Sequence, residues 1–184
     1  MPTNTGVYTQ EDASVGHIHS ENLCNKLSEI LDKNETIIDI GCGRGDYVKS
    51  LNVKGFSVKG IDGIKLECHD DNIHIFDLTK PFIIDKKCTI MSLEVGEHIP
   101  KQYESTFIDN LVNNCSGKLI LSWAIEGQAG IGHINCKNND YIINRLKDRG
   151  FILNQKITDN LRNVVEDNCD YFRNTLMFFE KNER

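Results

Sequence analysis

The stretch "LEVGEHIP", residues 93–100, places Glu94, Glu97 and His98 within five positions, directly behind the apolar run "CTIMSL". Two carboxylates and an imidazole at this spacing can hold a divalent cation, form a general base with its orienting partner, or open a solvated helix. If a helical turn begins here, the three stand at i, i+3 and i+4 and share one face. Carboxylate oxygens with one imidazole suit Mg²⁺ or Mn²⁺, and no thiol cluster suggests zinc. Without metal, a carboxylate beside His98 would orient it as a base.

A second group of residues surrounds "DIGCGRGDY", residues 39–47. Gly41, Gly43 and Gly45 permit positive φ and close approach of a ligand to the backbone. A plain tight turn would use the same glycines, so the acids around them carry the inference. Asp62 falls about twenty residues after the glycines, where a carboxylate can accept both ribose hydroxyls. Asp77, in "IFDL", is placed to accept from an adenine amino group. Asp39 precedes the loop and can hold an ammonium group directly or through water. Asp46 occupies the position where a dinucleotide's pyrophosphate would rest, and it would repel that anion. The implied ligand carries adenosine, amino and carboxylate groups and no phosphate.

The third group lies in "SWAIEGQAGIGHINC", residues 122–136, the longest irregular stretch, with three glycines and the only tryptophan. Gln128, His133 and Asn135 can donate and accept toward a polar acceptor. His133, in a glycine-rich stretch, is a second candidate base or a further metal ligand. Trp123 either offers a flat face to a sugar ring or ends a core strand. Tyr8, His17 and His19 precede the first helical pattern, at a place suited to a lid, although surface histidines are the simpler reading of the latter two.

The elements that must position these groups alternate. Strand-like runs occur at 36–40, 56–62, 73–78, 88–93 and 117–123, and two more, "FILNQKITDN" and "YFRNTLMFFEK", close the chain. Helical spacing occurs in "SENLCNKLSEILDKN", "RGDYVKSLNVKG", "PKQYESTFIDNLVNNC" and "NNDYIINRLKDRG". Alternation of this kind implies an α/β fold: a doubly wound, mostly parallel sheet with helices on both faces. In such sheets ligands bind beyond the carboxyl ends of the strands, where all three groups fall.

These motifs, in this order and spacing, resemble the class I, seven-strand Rossmann-like methyltransferases that use S-adenosyl-L-methionine. "IIDIGCGRG", "VKGIDG", "IFDL" and "IMSLEVGEHI" match that family's first four motifs, and the likeness covers roughly residues 20–180. It implies a three-layer αβα sandwich whose seven-stranded sheet is ordered 3-2-1-4-5-7-6, with the last strand antiparallel. It implies cofactor contacts at Asp39, Gly41, Gly43, Asp62, Gly63, Asp77, Leu78 and Leu93. Residues 63–72 depart from the family, being short for the usual helix between strands two and three, so a loop or single turn is expected. The pattern E-x-x-E-H is also similar to the metal-binding segment of ubiquinone-pathway O-methyltransferases, which implies Glu94, Glu97 and His98 as Mg²⁺ or Mn²⁺ ligands. Many methyltransferases of this class carry "EH" here without metal, using it for packing. The 122–136 segment resembles methyltransferases from phage, large-virus and microbial glycan gene sets.

Composition restricts the partners. The 184 residues suit one domain, with 1–33 as N-terminal lid and helix and 34–184 as core, standing alone or within a longer protein. Net charge is −6 and the basic residues are scattered, which disfavours a nucleic-acid backbone as partner. No apolar run reaches the roughly 20 residues of a membrane span. Seven cysteines, an odd number with no CxxC pair, read as reduced thiols in a cytoplasmic setting. The expected activity is O-methylation of a small polar acceptor, first a sugar hydroxyl of a glycan, with His98, His133 and Glu94 in catalytic roles. Aromatic or quinone hydroxyls, protein or RNA nitrogens, and a non-catalytic cofactor-binding module are the alternatives. An adenine or glutamine N-methylase would carry an NPPY-like motif, which is absent.

Overall fold

Strands rich in β-branched and apolar residues form the middle of the sheet. The computed structural model describes residues 18–182. Strands β1 (Thr36–Ile40) and β4 (Cys88–Ser92) are central, paired in parallel and almost wholly buried. That burial explains why their sequences lack alternation. β2 (Ser57–Asp62) and β3 (Ile73–Ile75) extend the sheet on one side, and β5 (Cys115–Leu121), β7 (Met177–Lys181) and β6 (Phe151–Leu153) on the other. The order is 3-2-1-4-5-7-6, with β7 antiparallel to both neighbours, as expected from the sequence.

Period-two alternation divides the strand residues between two cores. Ile37, Met91, Ile120 and Phe178 pack with Leu23 and Leu27 of α1 (Glu21–Ile30), Val48 and Leu51 of α2 (Asp46–Val53) and Leu161 of α5 (Gln155–Arg162). Ile38, Ile90, Leu119 and Phe179 pack on the other face with Phe107 and Leu111 of α3 (Glu104–Asn114) and Leu146 of α4 (Asn139–Lys147). The result is a three-layer sandwich. No helix among the described residues is long and apolar enough to cross a membrane.

Four details correct the sequence reading. "FILNQKITDN" is not one strand: three residues form β6, and Asn154 then caps α5 by accepting from the Ile157 amide at 3.1 Å. "YFRNTLMFFEK" likewise begins as the short helix α6 (Phe172–Thr175) before β7. β3 ends at Ile75 because Asp77 starts a turn, its Oδ1 accepting from the Thr79 amide and hydroxyl. Pro100 starts a separate 3-10 turn, Lys101–Tyr103, rather than α3 itself. Residues 63–72 contain no helix, in line with the expectation.

Candidate active site

Two serines lace the strand ends together. Ser92 Oγ donates to the Ile40 carbonyl at 2.7 Å, joining β4 to β1. The Ser122 amide donates to the Ser92 carbonyl, and Ser122 Oγ accepts from the Glu94 amide at 2.8 Å, joining β5 to the turn after β4. Glu94 there takes a left-handed backbone, φ 53°, uncommon for a residue with a side chain. This breaks the expected helical face. Only a 3-10 turn, Gly96–His98, follows, so Glu94, Glu97 and His98 are not stacked at helical spacing.

The 122–136 loop brings in a fourth group. The amides of Ile134 and Asn135 both donate to the Glu97 carbonyl, at 3.0 and 2.9 Å, which sets His133 against the turn. Gln128 Nε2 donates to Glu94 Oε2 at 2.8 Å. His133 Nδ1 lies 3.0 Å from the Gln128 carbonyl, and His98 Nδ1 lies 3.1 Å from the Gly132 carbonyl. A carbonyl only accepts, so each Nδ1 carries the hydrogen and each neutral ring has its lone pair on Nε2. Those nitrogens approach one oxygen: Glu97 Oε1 is 3.8 Å from His98 Nε2 and 4.0 Å from His133 Nε2. Glu97 is 0% exposed, and neither of its oxygens accepts a well-formed hydrogen bond. Burial, then the Glu94 charge, pushes its carboxyl well above the usual carboxylate range. Glu94 is raised too, chiefly by burial, with hydrogen bonds from Ser122 and Gln128 opposing.

On the glycine side, Gly41 (φ 79°) donates to the Ile61 carbonyl at 2.7 Å, and a Cβ there would lie 2.4 Å from Val95 Cγ2. Asp62 holds the loop, its Oδ2 accepting from the Gly43 amide and its Oδ1 from the Ile64 amide. Asp39 is 3% exposed, and burial followed by the nearby Asp62 charge pushes its carboxyl up to about 8. His69 was missed by the sequence reading. Its Nε2 lies 2.7 Å from the Gly43 carbonyl, so the 63–72 loop is fastened onto the glycine loop. Leu78 packs in the core rather than facing a ligand, and Asp77 spends one oxygen on its own turn.

A cavity of about 260 Å³ joins the two halves, running from Asp39, Gly41 and Tyr47 past Leu93 to Glu94, His98, Gln128 and His133. Tyr171 and Phe172 also line it, and the strand expected there gave no hint of them. Gly43, Asp62, Gly63, Asp77 and Leu78 lie outside this cavity, on the side expected to hold adenosine. Trp123 is fully buried and donates to the Asn135 carbonyl at 2.8 Å, so it cannot stack on a sugar. Asn135 is buried too, donating to Glu104 at 3.1 Å. His19 lines the cavity and packs on Tyr47, whereas Tyr8 and His17 lie outside the described residues.

No family model matches the chain, and no curated protein matches it by sequence. Solved structures do. Magnesium protoporphyrin IX methyltransferase from Synechocystis PCC 6803 with bound SAH aligns at TM-score 0.62 and 18% identity, covering 94% of this chain and 86% of that one. A TehB-like SAM-dependent methyltransferase from Corynebacterium glutamicum aligns at 0.65 and 14% identity, covering 93% and 91%. The fold is that of the class I S-adenosylmethionine-dependent methyltransferases. The [4+2]-cyclase SpnF, at TM-score 0.62 and 12% identity over 98% and 88%, shares it as well. Fold and activity are therefore separate questions, and activity must be argued from the site.

Proposed function

We propose that this chain binds S-adenosylmethionine and methylates a hydroxyl of a small polar acceptor, with a sugar hydroxyl of a glycan as the leading class. The observation that supports this is the continuity of one cavity from Asp39 and Gly41 to Glu94, His98 and His133. When bound, the cofactor supplies an electrophilic methyl group with a neutral thioether as leaving group. Asp46 offers negative charge to its ammonium and sulfonium, and Asp39 does so once the cation's approach ionises it. His98 or His133 takes the hydroxyl proton at Nε2, while the carbonyl on Nδ1–H stabilises the imidazolium that forms. Glu94 holds the loop through Gln128 and has a second oxygen for the acceptor. A divalent ion at this cluster would instead acidify the hydroxyl.

A second reading, methylation of an aromatic hydroxyl, has one observation in its favour. Ile18 and Ile131 line the cavity mouth yet are 44% and 57% exposed, an apolar rim beside Tyr171 and Phe172. Transfer of tritiated methyl groups to a panel of oligosaccharides and a panel of phenols separates the two. Label in the sugar fraction, reduced about 100-fold or more by His133→Ala, is the expected result. Label confined to phenols would favour the second reading. S-adenosylhomocysteine binding with no transfer to any acceptor would leave a cofactor-binding module.

A further inference from the structure

We propose that Glu97, His98 and His133 form a binding site for one divalent first-row transition ion, which clasps the 122–136 loop to the turn after β4. The three offer one ligand atom each, all within 4.8 Å of one another. Two segments supply them: Glu97 and His98 come from the 3-10 turn, and His133 comes from the loop whose amides already bind the Glu97 carbonyl. Relative to Glu94, Glu97 and His98, this set leaves out Glu94 and takes in His133, which the sequence analysis offered as a further ligand.

The buried Glu97 carboxyl requires an explanation. It is fully buried, and neither oxygen takes part in a well-formed hydrogen bond, although the Glu94 carboxyl and the Glu97 and Ala124 amides lie near it. Native structures leave few such groups, and an ion is a standard reason for one. A proton shared with either imidazole does not account for the arrangement, because hydrogen bonds need about 2.7–3.2 Å and the imidazole nitrogens stand 3.8 and 4.0 Å from Glu97 Oε1. Ligand atoms around an ion with bonds of about 2.1 Å sit roughly 3.0–3.4 Å apart, so a small contraction closes the set. Both imidazoles are already fixed for coordination: each Nδ1–H meets a carbonyl, the outer-sphere contact that orients metal-binding histidines. Gly130 permits this closeness, since a Cβ there would fall 2.1 Å from His133 Nε2. Two imidazoles and one carboxylate favour Zn²⁺, Co²⁺ or Fe²⁺ over Mg²⁺, which prefers oxygen ligands.

The site rests on its own geometry, and S-adenosylhomocysteine binding tests the cofactor reading separately. The decisive experiment is titration of EDTA-treated protein with ZnCl₂, CoCl₂ and MgCl₂, followed by calorimetry and by visible absorption for cobalt. One equivalent of Zn²⁺ or Co²⁺ should bind, more tightly than Mg²⁺, with weak cobalt d–d bands and no strong thiolate charge-transfer band. His133→Ala and Glu97→Gln should each weaken Zn²⁺ binding by about 100-fold or more. His133→Ala lies on a surface loop and should keep the parent melting temperature in EDTA, which separates ligand loss from misfolding. Absence of binding, binding indifferent to both substitutions, or a cobalt spectrum dominated by thiolate would each overturn the proposal.

Discussion

A single hydrogen decides whether the turn after β4 can close under Trp123. A Cβ on Gly96 would lie 2.2 Å from Trp123 Cε3, inside a ring that is itself fully buried. Gly96→Ala should destabilise the fold by roughly 1–3 kcal/mol, read by chemical denaturation, and should displace Glu97 and His98 with it. Asp39 makes a different residue-scale prediction. Its carboxyl is raised to about 8, with Asp62, Cys42 and Tyr47 around it. The folded state therefore keeps a proton that the unfolded chain releases near pH 3.9. The Asp39 contribution to stability is largest below that value and declines as pH rises toward 8. Binding of a ligand ammonium beside Asp39 has the opposite sign, because it selects the ionised carboxylate. S-adenosylhomocysteine affinity should climb between pH 6 and 8, by at most about tenfold per unit, and Asp39→Asn should flatten that climb. Asp39, Gly41, Asp62, Glu97 and His133 were legible as residues of interest because their types are unusual where they stand. Ser92 and Ser122 were not, since a serine after an apolar run carries no mark of the contact it will make.

Among the elements, the parallel strands were the most legible. β1 and β4 are buried on both faces, and short runs dominated by apolar residues without alternation record that directly. α5 was misread because its inward face is short: Thr158 and Leu161 are buried and Ile157 is half-buried, too few positions to outweigh the strand-like "FIL" before it. The cap was the available signal. Asn154 accepts from the Ile157 amide and donates to Glu180 of β7 at 3.0 Å. Asn154→Ala should lower stability by about 1 kcal/mol and leave S-adenosylhomocysteine affinity unchanged, because α5 lies away from the cavity. The 122–136 loop shows the limit of reading one segment at a time. Glycines marked it as irregular, but its placement comes from the Glu97 carbonyl, a backbone group that no pattern of residue types announces. Trp123 suffered from the same gap, since its indole N–H is satisfied by the carbonyl of a residue twelve positions on.

For the whole molecule, the strand order explains why residues far apart in sequence share one cavity. The chain reverses its direction of growth between β1 and β4, and the opening lies beyond their carboxyl ends. Spacing and motif order carried that topology, so the fold was readable before any contact was known. The acceptor was not, because specificity lies in the rim, where Ile18 and Ile131 stand exposed beside polar neighbours. A ligand bound across the glycine loop and the β4 turn links both halves of the sheet and should stabilise all of it. At a hundredfold excess over its dissociation constant, S-adenosylhomocysteine should add about 2.7 kcal/mol, a rise in melting temperature of roughly 5–10 °C for a chain of this size. The most direct measurement is calorimetric titration of S-adenosylhomocysteine into the purified chain, run beside Asp39→Asn and Asp62→Ala. Saturable binding at one site per chain, weakened by both substitutions, is the predicted result. No heat and no thermal shift at millimolar ligand would contradict the account, leaving a methyltransferase fold without its cofactor.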